Sequence, residues 1–327
     1  MIIVSILYYS MSLPHLPTVA PEGNEVLVKN EYTTMVHSSF TTSGTVVAVG
    51  IDVVHLSVGD KVFGFVGLRP KEKAYQTFIT APETKFGKIP SEITQQEAAT
   101  IPTNLVTAFH TIVTDLDLTL PWPKPDGYSP KDHRPILVWG ASSSVGQYTI
   151  QVLKYYGYSN IYAVASQRHH SFLRGLGATK TFDCSDSAVV SQLKALASLP
   201  LIIDCIGSQD KSLAFIAQVA ESGSKVAIML PVIVQDASET SEPWADGVEA
   251  RGVRTHFYQE NKFHAEHLQR TVMPELIAKG VITPNRVRLI EGKDMLERAE
   301  KVLSLLRNRA VSGEKLVFKL DDEDSQL

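Results

Sequence analysis

Over the first third of the chain, apolar positions come in short runs rich in β-branched and aromatic residues. Glu25-Val26-Leu27-Val28-Lys29, Thr45-Val46-Val47-Ala48-Val49, Val62-Phe63-Gly64-Phe65 and Phe78-Ile79-Thr80 are such runs, separated by turn signals such as Glu22-Gly23-Asn24 and Val58-Gly59-Asp60. The pattern predicts short strands in a β-rich, partly antiparallel, barrel-like domain. From 97 to 113 the apolar spacing becomes helical. Residues 120–135 then carry Pro121, Pro123, Pro125, Gly127, Pro130 and Pro135, which remove backbone donors and fix φ, so a domain boundary is expected there.

Beyond Pro135 the pattern changes. Continuous apolar runs at 136–139, 161–165, 201–203 and 226–230 alternate with helix-length segments, the signature of buried parallel strands joined by crossover helices. Val145, Tyr148, Val152 and Tyr156 fall at helical spacing and Gly157 stops that helix, giving a doubly wound α/β unit. Later come a helix around Met273-Pro274, another over 293–307, and the strand-like run Lys315-Leu316-Val317-Phe318-Lys319-Leu320; pattern alone assigns none of them to either domain. The tail 321–327 is acidic and expected to be disordered. The apolar stretch 1–9 is far shorter than the roughly 18 to 20 residues that cross a bilayer. With no basic residue before it and no small-x-small cleavage pattern after it, it reads as a buried strand or a disordered extension, not a signal peptide.

A chain of 327 residues, at about 150 per domain, is expected to form two domains with a large core. The near balance of 31 basic and 35 acidic side chains, with 44% apolar residues, argues against a polycation and against disorder; neither a nucleic acid nor a membrane is an expected partner. Cys184 and Cys205 are too few for a secreted disulfide framework or a thiolate-bound structural zinc, and point to a reducing compartment such as the cytoplasm. His264 and His267 lie three apart on a predicted helix but lack a third ligand and read as solvated, so no metal site is expected. No G-x-S-x-G surrounds Ser142 to Ser144, which argues against a serine hydrolase.

The candidate chemistry lies in Ile136-Leu137-Val138-Trp139-Gly140-Ala141-Ser142-Ser143-Ser144-Val145-Gly146, which runs from a predicted strand through a small-residue turn into a predicted helix. Such a turn aims backbone N–H groups and the positive helix end at a phosphate. Against G-x-G-x-x-G only Gly146 matches, with Ala141 and Ser143 at the other two positions. An ordinary tight βα turn would use the same small residues; the strand before, the helix after and the further strand-helix alternations favour the dinucleotide reading. No Asp or Glu occurs from Ser142 to Phe182, so the usual anchor for the ribose diol of NAD is missing. Instead Ser166-Gln167-Arg168-His169-His170 follows the second strand and offers a hydroxyl and a guanidinium where the 2′-phosphate of NADP would lie. NADPH is the expected cofactor, and the two histidines read better as the solvated start of a helix.

Several motifs in this order resemble the medium-chain dehydrogenase/reductase superfamily, in its zinc-independent quinone oxidoreductase and fungal trans-acting enoyl reductase branch. They are Glu25-Val26-Leu27-Val28-Lys29, Gly44-Thr45-Val46-Val47-Ala48-Val49-Gly50 with Val58-Gly59-Asp60-Lys61-Val62-Phe63-Gly64, and Ala98-Ala99-Thr100-Ile101-Pro102 leading to Thr107-Ala108. Gly140 to Gln147, Leu176-Gly177-Ala178 before Phe182-Asp183, Asp204-Cys205-Ile206-Gly207 and Ser312-Gly313-Glu314-Lys315-Leu316-Val317 complete the set. The resemblance implies a GroES-like β-rich substrate domain in 1–120, a Rossmann NADPH-binding domain in 121–255, and a return segment, 256–320, completing the substrate domain and an interdomain cleft before the tail 321–327. It also implies an NADPH-dependent, metal-free reductase of an enone, an enoyl thioester or a quinone, with a polyketide synthase as a partner.

Carried over by position, the resemblance implies Thr107 near the nicotinamide ribose and Ser142, Ser143, Ser144, Val145 and Gly146 in the phosphate turn. It implies Ser166 and Arg168 at the 2′-phosphate, Cys205, Ile206 and Gly207 along the adenosine, and Leu230 along the nicotinamide ribose. Cys205 and Leu230 read equally as core, and Thr107 as a helix-terminus hydroxyl bonded to its own backbone. No general acid is assigned. The chain departs from the family where Lys29 to His37 passes almost directly into Ser38 to Gly44, without the usual Asn-Pro-x-Asp-like turn and Gly-x-Asp or Gly-x-Glu element, and where Met1 to Ser10 replaces the usual opening strand. The substrate domain is therefore expected to be shortened near 37–38, which makes a catalytically impaired NADPH-binding or partner-binding protein the alternative.

Overall fold

The computed structural model describes residues 5–7, 10–12, 17–34, 40–196, 198–229 and 244–320. In chain order the first strands are β1 (Ser5–Leu7), β2 (Ser10–Ser12), β3 (Glu25–Thr34), β4 (Thr41–Val49), β5 (Lys61–Phe65), β6 (Phe78–Pro82) and β7 (Phe86–Lys88). They are followed by β8 (Ile136–Trp139), β9 (Ile161–Ala165), β10 (Lys180–Asp183), β11 (Leu201–Asp204), β12 (Lys225–Ile228) and β13 (Glu249–Gly252). The last two are β14 (Arg286–Leu289) and β15 (Glu314–Lys319). Two units divide the chain, Met1–Val106 with Gln259–Leu327, and Thr107–Tyr258. The divisions fall at 106/107 and 258/259, where the sequence suggested 120/121 and 255/256.

In the first unit the sheet order is β14-β15-β3-β4-β5-β7, with β6 also on β3. Register shifts at Leu27/Val28 and Asn30/Tyr32 bend β3, so that its first half pairs with β6 and its end with β15. Alternation then puts Val26, Val28, Val46, Ile79 and Ala81 into one core. The run left open by pattern is thereby assigned, because β15 is hydrogen-bonded to β3. The helix Met295–Arg307 packs Met295, Ala299 and Val302 against Leu316 and Phe318 of β15, and its N-terminus is capped by Asp294, whose carboxylate accepts from the Glu297 N–H at 2.8 Å.

The single helical stretch expected over 97–113 is instead Gln95–Ala98, then Pro102–His110, then a π-helical turn Thr111–Asp115. The break has a physical cause, since Pro102 lacks an N–H and can begin a helix but not continue one. His264 also corrects the sequence reading. It is 4% exposed, facing inward with Leu268 and Val272 from the π-helical segment His264–Val272, while His267 points outward.

The second unit is a parallel sheet of order β10-β9-β8-β11-β12-β13. Every strand pair is parallel, and β8, β9 and β11 are buried end to end, as helices covering both faces require. Trp139 stacks on Phe215 with ring centroids 5.6 Å apart. The helix Ser144–Tyr155 buries Tyr148, Ile150, Val152 and Leu153, and Gly157 ends it at φ +88°. This is the expected pairing of a partly antiparallel β-rich unit with a Rossmann-like doubly wound unit. Because the order reverses after the sheet's first strand, a topological switch point lies between β8 and β11.

No helix among the described residues is long and apolar enough to cross a membrane. In the stretch 1–9, Ser5–Leu7 pairs antiparallel with Ser10–Ser12. The expected shortening at 37–38, Leu230 and the tail 321–327 lie outside the described residues.

Candidate dinucleotide-binding site

Pairing aligns the strand ends of the second unit: Asp183 stands opposite Ala165, Asp204 opposite both Trp139 and Ile228, and Ile228 opposite Gly252. The loops after β8, β9 and β11 therefore leave one edge of the sheet. After β8 the chain turns at Gly140, whose φ of +71° an L side chain would strain. The N–H groups of Gly140 and Ala141 both donate to the Val164 carbonyl at 3.0 Å, and the Ser143 N–H returns to the Gly140 carbonyl at 2.9 Å. Ser143 is the N-cap of the helix Ser144–Tyr155, its hydroxyl accepting from the Gly146 N–H at 3.2 Å. Ser144 and Val145 open that helix, where N–H groups have no intrahelical acceptor and the helix dipole is positive. A helix N-terminus of this kind can receive an anion. Ser142 fixes it from the other side, its carbonyl accepting from Gln147 Nε2 at 2.8 Å.

Gly146 is demanded by packing. A Cβ there would stand 2.7 Å from both the Cα and the carbonyl oxygen of Ala141, so only glycine lets the helix approach the turn. The loop after β11 closes over the same turn: a Cβ on Gly140 would stand 2.5 Å from Ile206 Cγ1, and Cys205 shares a hydrogen bond with the Ser143 hydroxyl. Ile206 remains 43% exposed above it, and Gly207 continues at φ +62°. Burial, with Asp204 adding to it, pushes the Cys205 thiol up to about 12, so this cysteine is neither a ready nucleophile nor a thiolate ligand.

At the end of β9, Ser166 is half-buried with its hydroxyl 3.8 Å from Cys184 Sγ, and its carbonyl accepts from the His169 N–H at 2.9 Å. Arg168 is exposed and its Nε donates to His169 Nε2 at 3.3 Å. Burial, followed by the Arg168 and His170 charges, lowers the His169 pKa. His170 Nε2 lies 3.0 Å from the Ala165 carbonyl. The neighbouring strand end brings a carboxylate that the sequence reading did not weigh. Asp183 accepts from the Ser185 N–H at 3.0 Å and from its hydroxyl at 2.8 Å, bonds that hold its carboxyl below the usual range.

Thr107 lies on the helix Pro102–His110, 6% exposed, with its hydroxyl 2.9 Å from that of Thr255, which follows β13. One turn on, His110 is buried with Nδ1 3.4 Å from the Thr114 hydroxyl, and burial, helped by His256, lowers its pKa. The structure thus brings 140–146 and 205–207 into contact, sets Ser166 and Arg168 at the adjoining strand end, and joins Thr107 to Thr255. Sequence reasoning assigned no role to Asp204, whose partners are Ile206 and Ser212. Its only signal was its place in the Asp204-Cys205-Ile206-Gly207 run.

Among the described residues, no group of three His, Cys, Asp or Glu side chains could hold a metal ion. A family model described as "Zinc-binding dehydrogenase" matches residues 144–255; the described residues offer no three-donor cluster for the metal in that description, whereas the turn and its helix fit a dinucleotide. The trans-enoyl reductase himH of Aspergillus japonicus is 28% identical over 291 residues, covering 85% of this chain and 79% of that protein. The enoyl reductase component lovC of the lovastatin nonaketide synthase of Aspergillus terreus is 26% identical over 298 residues, covering 85% and 80%. In fold, the chain matches the crystal structure of CurK enoyl reductase with a TM-score of 0.75 at 16% identity, covering 98% of each chain. In its switch-point turn, its glycine-dependent helix approach and these matches the chain is similar to the enoyl reductases of the medium-chain dehydrogenase/reductase superfamily, a likeness that marks it as an oxidoreductase.

Proposed function

We propose that this oxidoreductase uses NADPH to reduce an activated C=C bond, in an enone or an enoyl thioester, without a metal. The observation that carries the cofactor choice is the end of β9. It presents the Ser166 hydroxyl and the exposed Arg168 guanidinium, and the nearby Asp183 carboxylate is engaged by Ser185. A guanidinium there gains a charge-assisted contact with a 2′-phosphate that NADH lacks. The substrate class is supported by two relatives, each aligned over 85% of the chain, whose names make them enoyl reductases. The name of one, a component of a nonaketide synthase, also supports a role in fungal secondary metabolism beside a polyketide synthase.

When bound, the nicotinamide supplies the hydride. The turn after β8 would hold the cofactor's pyrophosphate, the loop after β11 its adenosine, and the Thr107 hydroxyl its nicotinamide ribose. Fixed dipoles and hydroxyls of the site would stabilise charge developing on the substrate, in place of a Lewis acid. Both cysteines are free, as a reducing compartment such as the cytoplasm would keep them.

One observation favours a second reading. It is a feature of the sequence: Lys29 to His37 passes almost directly into Ser38 to Gly44, without the Asn-Pro-x-Asp-like turn and Gly-x-Asp or Gly-x-Glu element of the family. A protein that binds NADPH without turnover would result. Loss of NADPH absorbance across a panel of enones, enoyl thioesters and quinones tests the two. Turnover giving a saturated ketone from an enone supports C=C reduction, an allylic alcohol points to carbonyl reduction, and binding without turnover across the panel supports the second reading.

A further inference from the structure

We propose that Asp204 is a positioning residue for the dinucleotide, its buried carboxyl fixing the 205–207 loop over Gly140 before any cofactor arrives. The inference rests on the dinucleotide reading of this site. Asp204 ends β11 with no exposed surface. One carboxyl oxygen accepts from the Ile206 N–H at 2.9 Å and the other from the Ser212 hydroxyl at 2.7 Å, and the Gly207 N–H is a further donor to the group. Ser212 in turn accepts from the Ser208 N–H at 3.0 Å.

The two N–H donors belong to a chain that has just left the sheet, so no neighbouring strand can satisfy them. An apolar side chain at 204 could pack with less desolvation, since burial pushes this carboxyl up despite its bonds. What the carboxyl supplies is a fixed path for the loop. Ile206, held through its own N–H, is the residue whose side chain covers Gly140, and Cys205 is bonded to the N-cap Ser143. Asp204 thus couples the loop after β11 to the phosphate turn after β8 without touching the ligand, and preorganisation of this kind lowers the ordering cost of binding.

The test compares Asp204→Ala, Asp204→Asn and Ser212→Ala. It reads NADPH affinity by fluorescence titration, KM for NADPH against kcat, thermal melting, and amide hydrogen exchange at 206–208 in the cofactor-free protein. Asp204→Ala is expected to weaken NADPH binding about tenfold or more, to raise KM with kcat nearly unchanged, and to speed exchange at Ile206 and Gly207. Asp204→Asn keeps an acceptor for the two N–H groups and can donate to Ser212, so it should restore affinity to within about threefold of the original. Ser212→Ala should fall between them, and carries the test if Asp204→Ala does not fold. A lower melting temperature with unchanged affinity and KM in Asp204→Ala or Ser212→Ala would make the role purely structural and overturn the proposal, as would equal losses in the Asn and Ala variants. If the unmodified protein binds neither NADPH nor NADH, the dinucleotide reading falls as well; if it binds and the variants bind equally, only this proposal falls.

Discussion

Gly146 rests against the backbone of Ala141 so closely that a Cβ on it would stand 2.7 Å from the Ala141 carbonyl oxygen. Backbone cannot swing aside as a flexible side chain can, so this contact sets how near the helix Ser144–Tyr155 comes to the turn. Gly146→Val is expected to weaken cofactor binding about 100-fold or more, because the branched side chain pushes the helix N-terminus off the phosphate position. Circular dichroism should show the α/β unit still folded. A folded variant that binds NADPH normally would place the phosphate site elsewhere.

Arg168 should decide between cofactors. In the unmodified protein NADPH is expected to bind at least about tenfold tighter than NADH, roughly 1.4 kcal/mol, and Arg168→Ala should erase most of that difference while leaving NADH affinity in place. Parallel fluorescence titrations check this, and equal affinities in the unmodified protein would remove the 2′-phosphate assignment.

Asp115 should tie stability to pH. It sits on the π-helical turn Thr111–Asp115, 7% exposed, and burial, with Asp117 adding to it and Arg251 opposing it, raises its pKa from 3.8 to about 7. Between those values the folded chain keeps a proton that the unfolded chain has lost. Its contribution to stability therefore falls as pH rises from about 4 to 7, by at most about 1.4 kcal/mol per pH unit, and levels off above. Urea unfolding at several pH values should show Asp115→Asn gaining on the unmodified protein across that window. Identical pH profiles for the two would contradict the assignment.

Treatment with a strong chelator should leave both NADPH binding and any turnover unchanged, because the described residues offer no cluster of three metal-binding side chains. Activity lost on chelation and restored by zinc would contradict the metal-free reading.

Much of this was legible in the sequence, and for physical reasons. Strands buried on both faces must be continuous apolar runs, so 136–139 and 161–165 appeared at their true bounds, and Gly146 was visible because close packing admits no other residue. What stayed hidden depended on partners distant in the chain or on which side of an element faces inward. Thr107 meets Thr255, 148 residues away. His264 and His267, read together as solvated, part company because the π-helical segment turns only His264 into the core. Asp183 stands one residue beyond the stretch without Asp or Glu, and only strand pairing shows it level with Ala165.

The most direct test of the account is to supply NADPH carrying deuterium at the transferable nicotinamide position, with an α,β-unsaturated ketone, and to locate the label in the product. The account predicts a saturated ketone with deuterium on the carbon that was β to the carbonyl. Deuterium on a carbinol carbon, or NADPH that binds but stays unoxidised with every substrate, would contradict it.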